Sequence, residues 1–383
     1  MRSIYGVGRQ SRSELARNMG LNRSSAGHII AQLASKGLVR ELPVTDFNRD
    51  GPARTGRPGI LLELVSDAAI FLGVEIGVEH ISVVKIDLSA KVKKSHVVEF
   101  KGTNSDVEVA VKSALDIALA QMSPCELEIC KGIGISTPAQ MDQHGHVSLG
   151  PILGWADVDL GAMIRKHLPI DIPVQIENDA NAFAFGETYL RQETDEGVTL
   201  FLLLETGVGG AIVIDGTVFR GGNGLAGEIG HLRLSADHET TLENYIGLEA
   251  LLDMHRKATD LDHTSFESFI EKVRDREPNA VLIAEKWASH MAFAFVQVSR
   301  MIDPNRIVIG GSVSALYPLV QARVAAHIKS LQDGNFPTPE ISVDNSGWYG
   351  SALGAACMLH NRFLSLENEE LTNEVTNWQD AAS

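Results

Sequence analysis

The sequence predicts an α/β protein in two parts: an N-terminal winged helix-turn-helix over residues 1–64, then a two-lobed α/β body with a cleft between its lobes. Three observations lead there. Charge divides the chain: residues 1–64 hold ten Lys/Arg against five acids, a net of +5, whereas the rest of the 383 residues carries −21. Within that basic head, a short helix, a turn and a longer helix are followed by two strand-forming segments. In the acidic body, a strand–turn–strand unit recurs after 130 residues, at Glu75 and again at Glu205. A basic module on an acidic body is expected when one part meets phosphates and the rest does not. The plainer alternative is chance clustering on a solvated surface.

Bulk properties narrow the class. With 44% hydrophobic and 21% charged residues the chain is globular rather than disordered. It contains no run of about 18 uncharged apolar residues, so no membrane partner is expected. The N-terminus has no apolar stretch of signal-peptide type. Cys125, Cys130 and Cys357 make neither a disulfide framework nor a tetrathiolate metal site. A reduced, cytoplasmic protein is the expectation.

Ser11 is placed to cap a short helix over Ser13–Met19 that ends at Gly20, with Leu21 buried in the turn. A second helix, from Asn22 or Arg23 to Ser35, puts Ala26, Ile29, Ile30 and Leu33 on one face. Arg23, Ser24, Ser25 and His28 then lie on its outward N-terminal side, where the second helix of a helix-turn-helix reaches base edges. Gly37 stops that helix. Leu38–Leu42 and Ile60–Leu64 read as strands around the polar stretch Thr45–Pro58, a wing whose Arg54 and Arg57 suit a minor groove or a phosphate backbone. Arg12 completes the expected DNA-contact set. A small helical cap packed on the body is the alternative; wing, charge and helix order favour DNA. The stretch before Ser11 is short for a first helix: either the start is truncated or helix 1 is only a stub.

In the body, Val74–Asp87 and Leu204–Asp215 each read as a strand, a glycine-containing tight turn and an apolar strand ending at an aspartate. Repetition on this scale suggests two similarly built lobes. Glycines in such turns let backbone N–H groups approach an anion; two ordinary hairpins are the alternative. Cys130–Pro138 reads as a buried strand, and Arg306–Ser312 as a strand ending in glycines. Val174–Glu187 reads as a strand running into a helix, with Asn178 and Asp179 at the junction, where an amide and a carboxylate face the cleft. Gly224–His231 holds Glu228 and His231 three residues apart in a glycine-rich turn.

At Glu177–Glu187 and Gly224–His231 the sequence resembles the ROK family of repressors, open reading frames and sugar kinases, and the resemblance runs from the head to about Leu364. It implies a two-lobed, ribonuclease H-like architecture of the actin and hexokinase type. The expected boundaries are 1–64 for the head, 65–177 for the first lobe with about 355–383 packing back on it, and 178–354 for the second. Family members with a winged helix are mostly sugar-responsive repressors; those without are mostly ATP-dependent sugar kinases. The resemblance makes Asn178, Asp179, Glu228, His231 and Glu243 sugar contacts, with Asp179 also matching the kinases' general base. Carboxylates, an amide and an imidazole suit a ligand made of hydroxyls.

Departures from the family pattern shape the rest. The family's zinc site uses cysteines shortly after the motif histidine. Leu232–Thr241 contains none, and His238 and Glu239 read as surface residues, so no metal and no cofactor is expected. Kinases carry Asp-x-Gly-x-Thr in the first phosphate loop; here Glu75-Ile76-Gly77-Val78-Glu79 adds a carboxylate, and Glu205-Thr206-Gly207 adds another in the second loop. Like charges about 4 Å apart cost about 1–4 kcal/mol. Ile152 stands where many kinases put an asparagine on the sugar. The expectation is a regulator and not an enzyme, taking operator DNA and a sugar or sugar derivative as partners, as a homodimer or dimer of dimers. The rivals are an ATP-dependent sugar kinase carrying a head, and a body reduced to a dimerisation platform. The acidic tail after Leu366 reads as a solvated end or frayed helix.

Overall fold

The head is organised by its caps. In a computed structural model, which describes residues 1–42, 60–142, 144–191, 196–234, 240–259, 264–332, 334 and 336–381, the chain opens with helix α1 (Arg2–Val7) and strand β1 (Gln10–Ser11). Ser11 then caps α2 (Arg12–Asn18): its Oγ accepts the Glu14 N–H at 3.2 Å, while the Glu14 carboxylate accepts the Ser11 N–H at 2.9 Å. Such a reciprocal cap stabilises a short helix by about 1 kcal/mol. Asn22 caps α3 (Arg23–Ser35) by accepting the Ser25 N–H at 2.8 Å. Ala26, Ile30 and Leu33 are buried; Ile29 and Leu21 are half-buried, so Leu21 is less enclosed than its place in the turn suggested. Strands β2 (Val39–Leu42) and β3 (Leu61–Leu64) pair antiparallel, with β1 on the far side of β3. Arg54 and Arg57, with the stretch Thr45–Pro58, lie outside the described residues. The stub α1 buries Met1 and Ile4 in one core with Leu15, Ile30 and Leu33 of the head and Phe71, Leu88 and Ala356 of the body.

The body begins with a three-stranded antiparallel meander, β4 (Ile70–Ile76), β5 (His80–Asp87) and β6 (Val92–Glu99). Helices α4 (Val107–Ala120) and α5 (Pro124–Glu128) lead to β7 (Cys130–Thr137), parallel to β4. A small sheet of β8 (Gln140–Met141), β9 (His146–Gly150) and β10 (Trp155–Asp159), then helix α6 (Leu160–His167), precede β11 (Val174–Asn178). The order of the main sheet is β11-β7-β4-β5-β6. Every residue of β4 and β5 is buried, including the polar Glu75, His80, Ser82, Lys85 and Asp87. The exposed edge strand β6 carries Lys93 and Lys94, charges that keep an edge from pairing with another chain.

Helix α7 (Asp179–Arg191) crosses to the second sheet. There β12 (Val198–Leu204), β13 (Val208–Ile214) and β14 (Thr217–Phe219) form a second meander. Helices α8 (Glu243–Ile246), α9 (Leu248–Thr259), α10 (Phe266–Arg274) and α11 (Pro278–Ile302) precede β15 (Arg306–Gly310). Helix α12 (Tyr317–Leu331) leads to β16 (Glu340–Val343), and α13 (Gly350–Ala381) ends the described chain. The order β14-β13-β12-β15-β16 repeats that of the first sheet: a meander on one side, two parallel strands on the other. The internal likeness of the sequence is therefore a likeness of topology.

Helices α7 and α13 pack between the sheets at backbone distance. A Cβ added to Gly354 would lie 1.8 Å from the Ala182 carbonyl oxygen, and one on Gly73 1.9 Å from that of Ala352. Helix α13 already touches β4 at Ala352, so it joins the first sheet ahead of residue 355. The acidic tail continues it to Ala381. No helix among the described residues is long and apolar enough to cross a membrane.

Candidate functional site

The first half of the site is the end of β11. Glu177 is buried, and its Oε1 accepts the Asn178 N–H at 2.9 Å and Asn181 Nδ2 at 3.3 Å. Asn178 Oδ1 accepts the Asn181 N–H at 3.1 Å, and its Nδ2 donates to the Ala139 carbonyl at 3.4 Å. Asp179 opens α7 and accepts the Ala180 N–H at 2.8 Å. Burial, reinforced by the Glu75 carboxylate, pushes Asp179 up to about 7. A carboxyl poised there accepts a proton from a hydroxyl near neutral pH more readily than an ordinary aspartate does.

The second half is the turn after β14. Gly227 has φ +97°, and a Cβ on Gly230 would lie 2.1 Å from the Val208 carbonyl oxygen, so only glycine lets this turn press onto β13. That contact aims Glu228 and His231 at the cleft. His231 Nδ1 is 3.9 Å from Glu228 and its Nε2 3.9 Å from Glu243, which starts α8. Thr241 Oγ1 donates to Glu243 at 3.3 Å. Burial raises the Glu228 pKa, which His231 opposes. Asn178, Asp179, Glu228, His231 and Glu243 line one cavity of about 110 Å³, together with Ile152, Glu75, Glu205 and Gly207. All five residues expected to contact sugar thus converge, and they offer charge-assisted acceptors, an amide and an imidazole to a hydroxyl-rich ligand. Ile152 gives the cavity an apolar wall, 3.1 Å from where a Cβ on Gly207 would stand.

Between the two hairpins stands a residue that sequence reasoning missed. His80 is buried, its Nε2 3.3 Å from Glu75 and its Nδ1 3.9 Å from Glu205, with the Trp348 ring edge-on at 4.9 Å. Burial disfavours the charged ring, but Glu75 and Glu205 outweigh it and lift His80 to about 9. Burial and Glu75 raise Glu205 well above the usual carboxylate range. Burial also raises Glu79, which the Thr206 hydroxyl opposes by bonding its carboxylate. The expected picture of two unrelieved carboxylates facing a phosphate therefore needs correction: His80 lies against Glu75, Glu205 beside it is raised toward its neutral form, and the Thr206 hydroxyl bonds Glu79. The signal was hairpin register. Glu75 pairs with Ser82, whose hydroxyl donates to it at 3.0 Å, and His80 shares that face two residues earlier.

Glu75, His80 and Glu205 also present ligand atoms within 4.8 Å of one another, close enough for a metal ion. The same closeness makes them an ion-pair group, with His80 nearer to Glu75 than to Glu205. His238 and Glu239 lie outside the described residues.

In the head, Arg23, Ser24 and His28 are exposed at the outer N-terminal part of α3, while Ser25 is half-buried under its cap. Arg12 differs from expectation: it forms an ion pair with Glu41 of β2. It is half-exposed, and such a pair is worth only about 0.2–1 kcal/mol. Arg9 and Arg40 both bond Glu63; burial raises that carboxylate, but the two guanidiniums prevail and lower it.

Two similar sheets, a helix pair between them and a polar inter-lobe cavity define an α/β fold of the actin and hexokinase type. Residues 71–362 match the ROK family, and the chain belongs to it. Along almost its whole length it is similar to the xylose repressor of Bacillus spizizenii, 24% identical over 369 residues, covering 93% of this chain and 92% of that one. Among solved structures, a ROK family transcriptional regulator homologous to the Escherichia coli Mlc protein superposes with a TM-score of 0.72 at 20% identity, covering 94% of each chain. A Streptomyces griseus ROK glucokinase in complex with glucose and AMPPNP gives 0.67 at 23% identity, covering 76% of this chain and 99% of that one.

Proposed function

We propose that this protein is a sugar-responsive transcriptional regulator of the repressor type. A winged helix-turn-helix over residues 1–64 binds operator DNA, and the cavity around Asn178, Asp179, Glu228, His231 and Glu243 binds an unphosphorylated sugar or sugar derivative. The observation that carries this reading is the joining of the two parts. The xylose repressor matches both head and body, whereas 76% of this chain covers 99% of the glucokinase. Two heads on a homodimer, or on a dimer of dimers, would read half-sites spaced by whole helical turns. Sugar that closes the cleft between lobes 65–177 and 178–354 would change that spacing. Such a protein works where the chromosome is, in keeping with the cytoplasmic expectation.

One observation favours the kinase rival: Asp179, held at about 7, has the protonation range of a general base. Against it stands the place between the hairpins, which His80 and three glutamates occupy. Phosphoryl transfer depends on holding and neutralising phosphates there. The test is a gel-shift titration on a fragment upstream of the gene, with and without D-xylose and D-glucose. Sugar-dependent release supports the reading; failure to bind any such fragment overturns it.

A further inference from the structure

Arg220 belongs to none of the motifs above, yet it joins the two halves of the site. It follows β14 directly and opens the glycine-rich loop that ends at Glu228. Its guanidinium forks onto Glu177: Nη1 donates to Oε1 at 3.1 Å and Nη2 to Oε2. Its own carbonyl accepts the Ala226 N–H at 3.2 Å, two residues before Glu228. Glu177, 4% exposed, uses its other bonds to hold the Asn178 N–H and the Asn181 amide. One arginine is thus fastened by its main chain to the Glu228–His231 turn and by its side chain to the Asn178–Asp179 corner. These belong to different sheets. Neither Arg220 nor Glu177 lines the sugar cavity; both line a separate recess beside Arg2 and Tyr5 of α1.

We propose that Arg220 and Glu177 form a positioning clasp that sets the spacing between the Asn178–Asp179 corner and the Glu228–His231 turn, and so governs sugar affinity without touching sugar. This rests on the sugar-site reading above. A two-point fork fixes both distance and orientation; a lysine ammonium, a point donor, holds the charge without the orientation. Loss of the guanidinium leaves Glu177 buried without its cation, and the strand end that carries Asn178 and Asp179 must shift to rehydrate it.

The test compares wild type with Arg220→Met, Arg220→Lys, Glu177→Gln and the double variant Arg220→Met/Glu177→Gln. Calorimetry with D-xylose, D-glucose and N-acetyl-D-glucosamine is set beside hydrogen exchange of the unliganded protein. For whichever sugar the wild type binds, Arg220→Met is expected to weaken binding by about tenfold or more, with Arg220→Lys in between and the double variant no worse than the weaker single one. Exchange should rise in residues 178–181 and 221–231 while residues 283–298 stay as in wild type; a general loss of stability would raise all three. Unchanged exchange in the first two segments, or unchanged affinity in Arg220→Met, would overturn the clasp. If wild type binds none of the three sugars, the sugar reading fails on its own account, and the exchange result alone decides the clasp.

Discussion

The two ends of one cleft have been treated differently. At the Asn178–Asp179 end, polar groups face a cavity and keep bonding capacity to spare. At the hairpin end, Glu75 and Glu205 border the same cavity but flank the buried His80. Both ends are built on the same repeated topology, so the fold does not dictate the contrast; a few side chains do. An open polar cluster can bind and release a small ligand. A buried ion pair does neither, because its partners already satisfy one another. The comparison teaches that side chains on one repeated topology can leave one end of a cleft with polar groups to spare and tie the other end across the two sheets.

The largest expected effect comes from breaking that tie. His80→Gln leaves the buried Glu75 carboxylate without its cation, a change that costs about 3–5 kcal/mol in comparable pairs. Thermal unfolding measures it. Because the folded value of His80, about 9, lies above its ordinary 6.5, its contribution is fully present below pH 6.5 and is lost as the pH rises through 9. The wild-type midpoint should fall over pH 7.5–9, and the variant, lower at the start, should stay flatter there. Asp179 does not confuse this window: raised from 3.8 to about 7, it favours the fold only while protonated and exerts its effect below.

Next in size is the open end. Asp179→Asn removes a charged acceptor and should weaken sugar binding by about 1.5–3 kcal/mol, roughly 10- to 150-fold. Operator release should need correspondingly more sugar. A normal sugar affinity in this variant would separate the cavity from the response. Smaller again is the head. Arg23→Ala should cost about 1–3 kcal/mol in operator affinity, whereas Arg12→Ala should cost less because Glu41 already engages its guanidinium. Binding by both variants should fall steeply with salt, and a reversed ranking would mean that Arg12 leaves Glu41 in the complex. Chelation should have the smallest effect. Dialysis against EDTA is expected to leave the unfolding midpoint and sugar affinity unchanged, and a lowered midpoint would move Glu75, His80 and Glu205 from ion pair to metal site.

The open end was legible in the sequence because its residues sit in two short local motifs, each placed by a glycine turn or a strand–helix junction. The closed end was not. Seeing His80 requires the register of a hairpin and the approach of a second hairpin 125 residues away. Arg12 looked available because its partner Glu41 lies 29 residues on, in a strand whose pairing sets the distance. Arg220 and Glu177, 43 residues apart, meet only once the two sheets are in place. The start of α13 was obscured for another reason. Gly350-Ser351-Ala352-Leu353-Gly354 is built of small residues that let the helix touch β4 and α7, a role that shows only once those partners are in place. Local chemistry was readable; electrostatics between distant segments was not.

The central claim is that the cleft senses sugar and does not phosphorylate it. It is tested most directly by one sample of the purified protein given D-xylose, D-glucose and N-acetyl-D-glucosamine with Mg·ATP. ADP release and operator occupancy are followed together. The account predicts that at least one sugar changes operator occupancy while ADP release stays at the no-sugar background. Sugar-dependent ADP release at about 1 per second or faster, within the ordinary range of enzymes, with operator occupancy unmoved, would contradict it.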